Sequence, residues 1–325
     1  VEIVENVQLY YETFKRNNIK FIGEITEESL IEHLSKYKRV LCIASTKRKA
    51  QKLYQSLGAE QEVYHLSTNL CPKHRRELLN KIKKRIADGK ECRVVSTSLI
   101  EAGVDIDFDV VYKELEGLDS VIQAAGRCNR EGKNAPSESF TYVYSLSEDS
   151  NTHRLQEKKI AKKIFNDTRF ADDLSGVQAV KRYFEKLYKL KDDNLDKKNI
   201  LQRIDEDEES RFDFKSMNGL VKLIEENTRS VIIPYDDIAE ILIEKLRAGV
   251  RSKELFRSLG QYTVNVRTNE FTNNRLQGDY EKLSSSGKID KLDSEISILI
   301  DENVYDKLHL GLRLDMLEES FTIDL

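Results

Sequence analysis

Arg93-Val-Val-Ser-Thr-Ser-Leu-Ile-Glu-Ala-Gly-Val-Asp-Ile-Asp-Phe-Asp-Val-Val-Tyr-Lys-Glu114 decides the fold, and Gln123-Ala-Ala-Gly-Arg-Cys-Asn-Arg130 follows a short link later. Arg93 to Thr97 and Val110 to Lys113 are apolar runs of strand length, bracketing an acidic turn that contains Gly103. Continuous apolar runs of this kind suit strands buried on both faces. Leu118 to Ala125 reads as a helix, and beyond it Arg127 and Arg130 are three apart. On a helical turn that spacing puts them on one side. Two adjacent guanidiniums repel, so the pair calls for an anion, and their planar donor forks suit phosphate oxygens. A lone R-x-x-R is more often an ordinary surface pair. Here it comes with Gln123 and with Thr97-x-x-x-Glu101-x-Gly103-x-Asp105.

Working outward, Arg39 to Ala44 is another apolar run, followed by Ser45-Thr46-Lys47 and a helical pattern through Ala50, Leu53, Tyr54 and Leu57 to Gly58. Ser45 and Thr46 offer free backbone N–H groups to an anion, or form a plain helix cap. Glu62 to Leu66 is a strand, and Pro72 opens a helix whose Lys73, Arg75, Lys81, Lys83, Lys84 and Arg85 are a solvated face or part of a phosphate track. Phe140 to Leu146 is a last strand. Residues 39–146 thus alternate strand and helix, which predicts an α/β fold: a parallel sheet with helices on both faces and sites at the carboxyl ends of strands. Residues 1–38 read as a connector plus a helix capped by Thr26.

The first domain is expected to span 1–150, a charged helical linker 151–211, and a smaller α/β accessory domain 212–325. In the accessory part, Leu220 to Ile224 and Ser230 to Ile233 are strand candidates, followed by a helix capped by Asp236 or Asp237 and a short helix from Ser252 to Leu259 closed by Gly260. Tyr262 to Val266 alternates as a strand.

The chain has 325 residues, is 34% charged and carries a net charge of −4, so any nucleic-acid contact must come from a local basic track. Cys42, Cys71, Cys92 and Cys128 are scattered without C-x-x-C spacing. They suggest a reducing cytoplasm, with neither a disulfide framework nor a metal site. No apolar run is long enough to span a membrane, and no signal peptide is visible. The start at Val1 suggests a piece of a longer protein. Three Gly-Lys pairs occur, at Gly89-Lys90, Gly132-Lys133 and Gly287-Lys288, none followed by Ser or Thr, so these residues hold no P-loop. Ile298-Leu-Ile-Asp301-Glu302 imitates a magnesium-binding box and reads as a strand running into a turn. No His is followed by Asp.

Ser96 to Asp109 followed by Gln123-x-x-Gly126-Arg127-x-x-Arg130 resembles motifs V and VI of superfamily 2 helicases. More particularly it resembles the CRISPR-associated helicase–nuclease of type I systems. The softer patterns Leu259 to Val266, Tyr305-Asp306 and Gly311-Leu312 resemble that family's accessory domain, most like its type I-C branch. The resemblance implies a second RecA-like domain, part of an ATP-dependent helicase–nuclease and inactive alone. It implies Mg–ATP, with the magnesium ligands on a separate first RecA-like domain. It assigns Arg127 and Arg130 to the γ-phosphate and transition state, Gln123 to nucleotide sensing, and Gly103 and Asp105 to coupling the cleft with the DNA groove. Ser45, Thr46, Ser67, Thr68, Thr97 and Ser98 would line single-stranded DNA phosphates. Glu101 reads equally as a direct participant or as a cap or salt bridge. Implied partners are the N-terminal nuclease and P-loop half and a guide-RNA surveillance complex. A non-catalytic docking module, binding that complex or an inhibitor, and another superfamily 2 translocase are the alternatives.

Overall fold

The computed structural model describes residues 4–58, 62–101, 103–146, 154–191, 196, 199–205, 228–268, 278–292 and 296–317. Six parallel strands form the larger sheet: β1 (Asn18–Ile25), β2 (Arg39–Ile43), β3 (Val63–Leu66), β4 (Cys92–Ser96), β5 (Val110–Glu114) and β6 (Phe140–Leu146). Their order is β1-β6-β5-β2-β4-β3. The apolar runs bury both faces. In β2, Leu41 and Ile43 enter the core under α4 (Pro72–Ala87), while Val40 and Cys42 enter the core under α2 (Glu27–Ser35) and α3 (Lys47–Leu57). That alternation follows from the two-residue period of a strand.

The helices start where local chemistry dictates. Thr26 and Thr46 cap α2 and α3, accepting from the N–H of Ser29 and Lys49. Pro72 occupies the first turn of α4. The amino-terminal region holds more than a connector and one helix. It contains a further helix, α1 (Val7–Phe14), and β1 extends the sheet along β6. β1 is an edge strand with Gly23 in its interior, where the register with β6 shifts, so its apolar pattern is broken.

Helices run through the first part of the stretch expected as a charged helical linker over 151–211. α6 (Leu155–Phe165) and α7 (Val177–Lys191) pack on α5 (Leu118–Ala125) and the sheet as an outer layer. Ile160, Ile164, Phe165, Tyr183 and Leu187 share one core with Leu118, Val121 and Val143. The apolar positions Val180, Phe184 and Leu187, at helical spacing, face that core, and the charged residues face away from it. α8 (Ile200–Asp205) is the one described helix between α7 and residue 228.

The smaller sheet is mixed, ordered β8 (Thr263–Arg267), β7 (Thr228–Ile232), β10 (Ile296–Leu299), β9 (Ile289–Lys291). α9 (Asp237–Arg247, capped by Asp236) and α10 (Lys253–Leu259) cover one face. α11 (Asp279–Ser285) covers the other. The candidate strand Leu220 to Ile224 lies outside the described residues. Beyond β10, Asp301 caps a short turn, so the imitation of a magnesium box is a strand end. A hairpin of β11 (Tyr305–Asp306) and β12 (Gly311–Leu312) then docks on the first sheet. Leu312 N–H donates to Asn69 O at 2.9 Å, and Gln51 Nε2 donates to Leu312 O at 2.7 Å.

Candidate functional site

The hydroxyl-bearing candidates gather at the carboxyl edge of the larger sheet. β2, β4 and β3 are neighbours there, so Ser45-Thr46, Thr97-Ser98 and Ser67-Thr68 lie along adjacent strand ends. Thr97 N–H donates to Leu66 O at 3.2 Å, tying two of those ends together. Ser98 and Thr68 are exposed. Ser67 is fully buried and its hydroxyl accepts from Asn69 N–H at 3.2 Å. Thr97 is nearly buried. The Ser45 N–H already has an anion: it donates to Glu114 Oε2 at 2.7 Å, and Glu114 also pairs with Lys49.

The two arginines do not share a helical face. α5 ends at Ala125, and the chain turns through Asn129, which holds a left-handed φ of 50°. Asparagine tolerates that conformation because its short amide bonds locally. Here Asn129 Nδ2 donates to Arg16 O and Asn134 O, both at 2.8 Å. The turn is stitched to the preceding loop, since Phe108 N–H donates to Arg127 O and Asn129 N–H to Phe108 O. Arg127 therefore points inward and Arg130 outward. Arg127 is 7% exposed, and its Nε and Nη2 donate to Ile100 O at 2.9 Å and Glu101 O at 2.6 Å. Burial, then the neighbouring Arg130, pull its guanidinium below the ordinary arginine value. Arg130 is exposed, with Nε 2.8 Å from Asp105 Oδ1 and its backbone N–H on Asp107 Oδ1 at 2.7 Å. The structure thus brings Asp105 and Arg130 together. Gln123 is exposed on α5, and Gly103 is exposed with a left-handed φ of 71°.

Behind this edge lie residues that motif reading passed over. Lys113 is fully buried, 3.1 Å from Glu101 Oε1 and in contact with Glu116. Ser120 Oγ donates to both Glu101 oxygens at 3.2 and 3.1 Å. Burial raises the Glu101 carboxyl, opposed by Lys113 and Ser120. The signal was available: two charged residues closing an apolar strand must find partners. Cys128 is buried and its thiol is pushed up to about 12 by burial, which suits packing rather than chemistry. Among the described residues no group of three or more His, Cys, Asp or Glu could hold a metal.

An exposed guanidinium beside a buried one whose Nη1 has no hydrogen bond among the described residues can receive an anion arriving from solvent. The turn itself sits at the amino ends of β5 and β6, where Cys128 Sγ donates to Asp109 O and Phe140 O, both at 3.4 Å, whereas the hydroxyl-bearing strand ends lie at the carboxyl edge.

Residues 36–133 match the family model for the C-terminal part of the CRISPR-associated nuclease/helicase Cas3. The chain is 36% identical over 109 residues to a CRISPR-associated nuclease/helicase Cas3 of Methanothermobacter thermautotrophicus, covering 34% of this chain and 12% of that protein. Over 37 residues it is 54% identical to the Haloferax volcanii protein of the same description, covering 11% of this chain and 4% of that one. The chain therefore spans only a small part of the length of these relatives. Among solved structures, T. fusca Cas3 with ADP superposes with a TM-score of 0.55 at 14% identity, covering 88% of this chain and 39% of that chain. That likeness shows the fold, a mixed α/β arrangement with a six-stranded parallel sheet flanked by helices. No helix among the described residues is long and apolar enough to cross a membrane.

Proposed function

We propose that this chain is the C-terminal helicase half of a type I CRISPR helicase–nuclease. It would supply the second wall of an ATP site and one bank of a single-stranded DNA groove. The observation that carries this is the arginine edge: Arg130 displayed to solvent by Asp105 and Asp107, with Arg127 anchored behind it. The match of residues 36–133 to the Cas3 C-terminal family supports the assignment.

In this reading, Mg–ATP sits on the P-loop half, and water cleaves the β–γ phosphoanhydride to ADP and phosphate. Arg130, released from Asp105, neutralises charge on the γ-phosphate oxygens. An arginine delivered this way contributes roughly 10³–10⁵ to hydrolysis in other phosphoryl-transfer enzymes. Arg127 positions the turn and offers its remaining Nη1. Gln123 reads the nucleotide. Gly103 and Asp105 link cleft to groove, where Ser45, Thr46, Ser67, Thr68, Thr97 and Ser98 meet DNA phosphates. The buried Ser67 would do so through the exposed turn it braces. The accessory sheet would belong to the type I-C branch and face the guide-RNA surveillance complex, in the cytoplasm.

ATP hydrolysis measured with this chain alone, with the P-loop-bearing half alone, and with both, each with and without single-stranded DNA, tests the assignment. The expected result is DNA-stimulated hydrolysis only when both halves are present. Silence of the mixture together with tight binding to a surveillance-complex protein would replace it with a docking module. Stimulation by RNA or duplex DNA instead would point to another superfamily 2 translocase.

A further inference from the structure

Lys113 and Glu114 are consecutive at the carboxyl end of β5 and belong to neither motif, yet three functional segments converge on them. Adjacent strand residues point to opposite faces. On one face, Lys113 pairs with Glu101 and Glu116, and Ser120 at the start of α5 bonds the same carboxylates. The backbone carbonyl of that Glu101 is held by Arg127. On the other face, Glu114 holds the N–H of Ser45 and the ammonium of Lys49, at the start of α3. Lys113 and Glu114 both have fully buried side chains.

We propose that Lys113 and Glu114 are positioning residues that couple the nucleic-acid turn at 45–49 to the arginine edge at 127–130. The proposal rests on the helicase reading above. The physical reason is that a buried charge tolerates no loss of its partner. A shift of the 45–49 turn drags Glu114, and with it the end of β5. Lys113 then carries Glu101, and Glu101 carries Arg127. Lys113 stands against two carboxylates, Glu101 and Glu116, and Arg127 holds the backbone carbonyl of Glu101, so the group moves as a unit or leaves a buried polar group without its partner. The coupling runs through ion pairs and backbone bonds that are all in place, rather than through spatial proximity alone.

The test uses the protein assembled with its P-loop half and reads the ratio of DNA-stimulated to basal ATP hydrolysis. Lys113→Met should lower that ratio by about tenfold, the size of a typical coupling between sites, while KM for ATP and the basal rate stay near wild type. Glu114→Gln, nearly isosteric, should lower the ratio in the same direction. If Lys113→Met fails to fold, the paired variant Lys113→Met/Glu101→Gln, which leaves no orphaned partner at position 101, takes its place. A wild-type protein that DNA does not stimulate would overturn the helicase reading itself. A stimulated wild type with variants retaining the full ratio would overturn the coupling alone. So would variants that lose basal and stimulated rates together in step with melting temperature, which would mean a purely structural role.

Discussion

At the residue scale, two arginines of the same motif face opposite demands. Arg127 satisfies two backbone carbonyls in a buried turn. Arg130 makes an ion pair in which its own side chain is 42% exposed and that of Asp105 77% exposed. Truncation should separate them. Arg127→Ala leaves the Ile100 and Glu101 carbonyls without their donor, and stability should fall by roughly 1–3 kcal/mol. Arg130→Ala removes only an exposed pair, a change within about 1 kcal/mol. If the proposed function holds, both should abolish hydrolysis once the chain is assembled with a P-loop half. Thermal melts of the isolated chain check this; a large loss of melting temperature for Arg130→Ala would make it structural. Arg127→Lys should not recover the stability, because an ammonium cannot hold two carbonyls in the fork that a guanidinium spans.

At the element scale, the β11–β12 hairpin ties the smaller unit to the larger one. Its approach depends on Gly311, whose φ is 67° and whose added Cβ would lie 2.4 Å from Asn69 O. That obstacle is backbone and cannot swing aside. Gly311→Ala should therefore displace the hairpin, costing roughly 1–3 kcal/mol. The amide of Leu312, now on Asn69 O, and that of Cys71, now on the Tyr305 hydroxyl at 3.0 Å, should exchange faster with solvent. Unchanged protection at both amides would mean that the hairpin adjusts without cost. Because Asn69 follows the Ser67-Thr68 turn directly, the proposed function adds that a loosened hairpin should weaken single-stranded DNA binding.

At the scale of the whole molecule, the seam between the units is rich in buried imidazoles. His65 on β3 and His74 on α4 are held down to about 4, in both cases chiefly by burial. His309 in the hairpin is lowered for the same reason. Around them stand Asp306, which favours their protonation, together with Tyr54, Tyr305 and Cys71, and Glu77 and Lys81 on α4. The ordinary value is 6.5, so between about 4 and 6.5 the unfolded chain binds protons that the folded chain refuses. Stability is complete above that window and falls as the pH drops through it, by up to about 3 kcal/mol for each of His65 and His74. Glu101, raised by burial, works the other way and offsets part of the loss. Urea midpoints measured from pH 7 to pH 4.5 should decline, and His65→Leu should flatten the decline. Superimposable curves for the two proteins would remove His65 from the account.

The larger sheet was legible in the sequence because its strands are short apolar runs and its helices carry their own start signals, Thr26, Thr46 and Pro72. These are local effects, set by neighbouring residues, and β2 to β6 follow from them. The motif residues were legible as types and spacings. What each side chain does was not. Whether an arginine points in or out depends on where α5 ends and on the turn at Asn129, which in turn rests on Arg16 and Asn134. The partners of Lys113 and Glu114 lie up to 69 positions away. The edge strand β1 exists because β6 offers it hydrogen bonds, and α6 and α7 pack where they do because the sheet and α5 offer their apolar stripes a place to bury. Local propensity and pattern are written along the chain. Which polar and apolar groups meet is decided by the long-range contacts of the folded molecule, where buried charge and backbone must be satisfied by whatever the tertiary structure brings near.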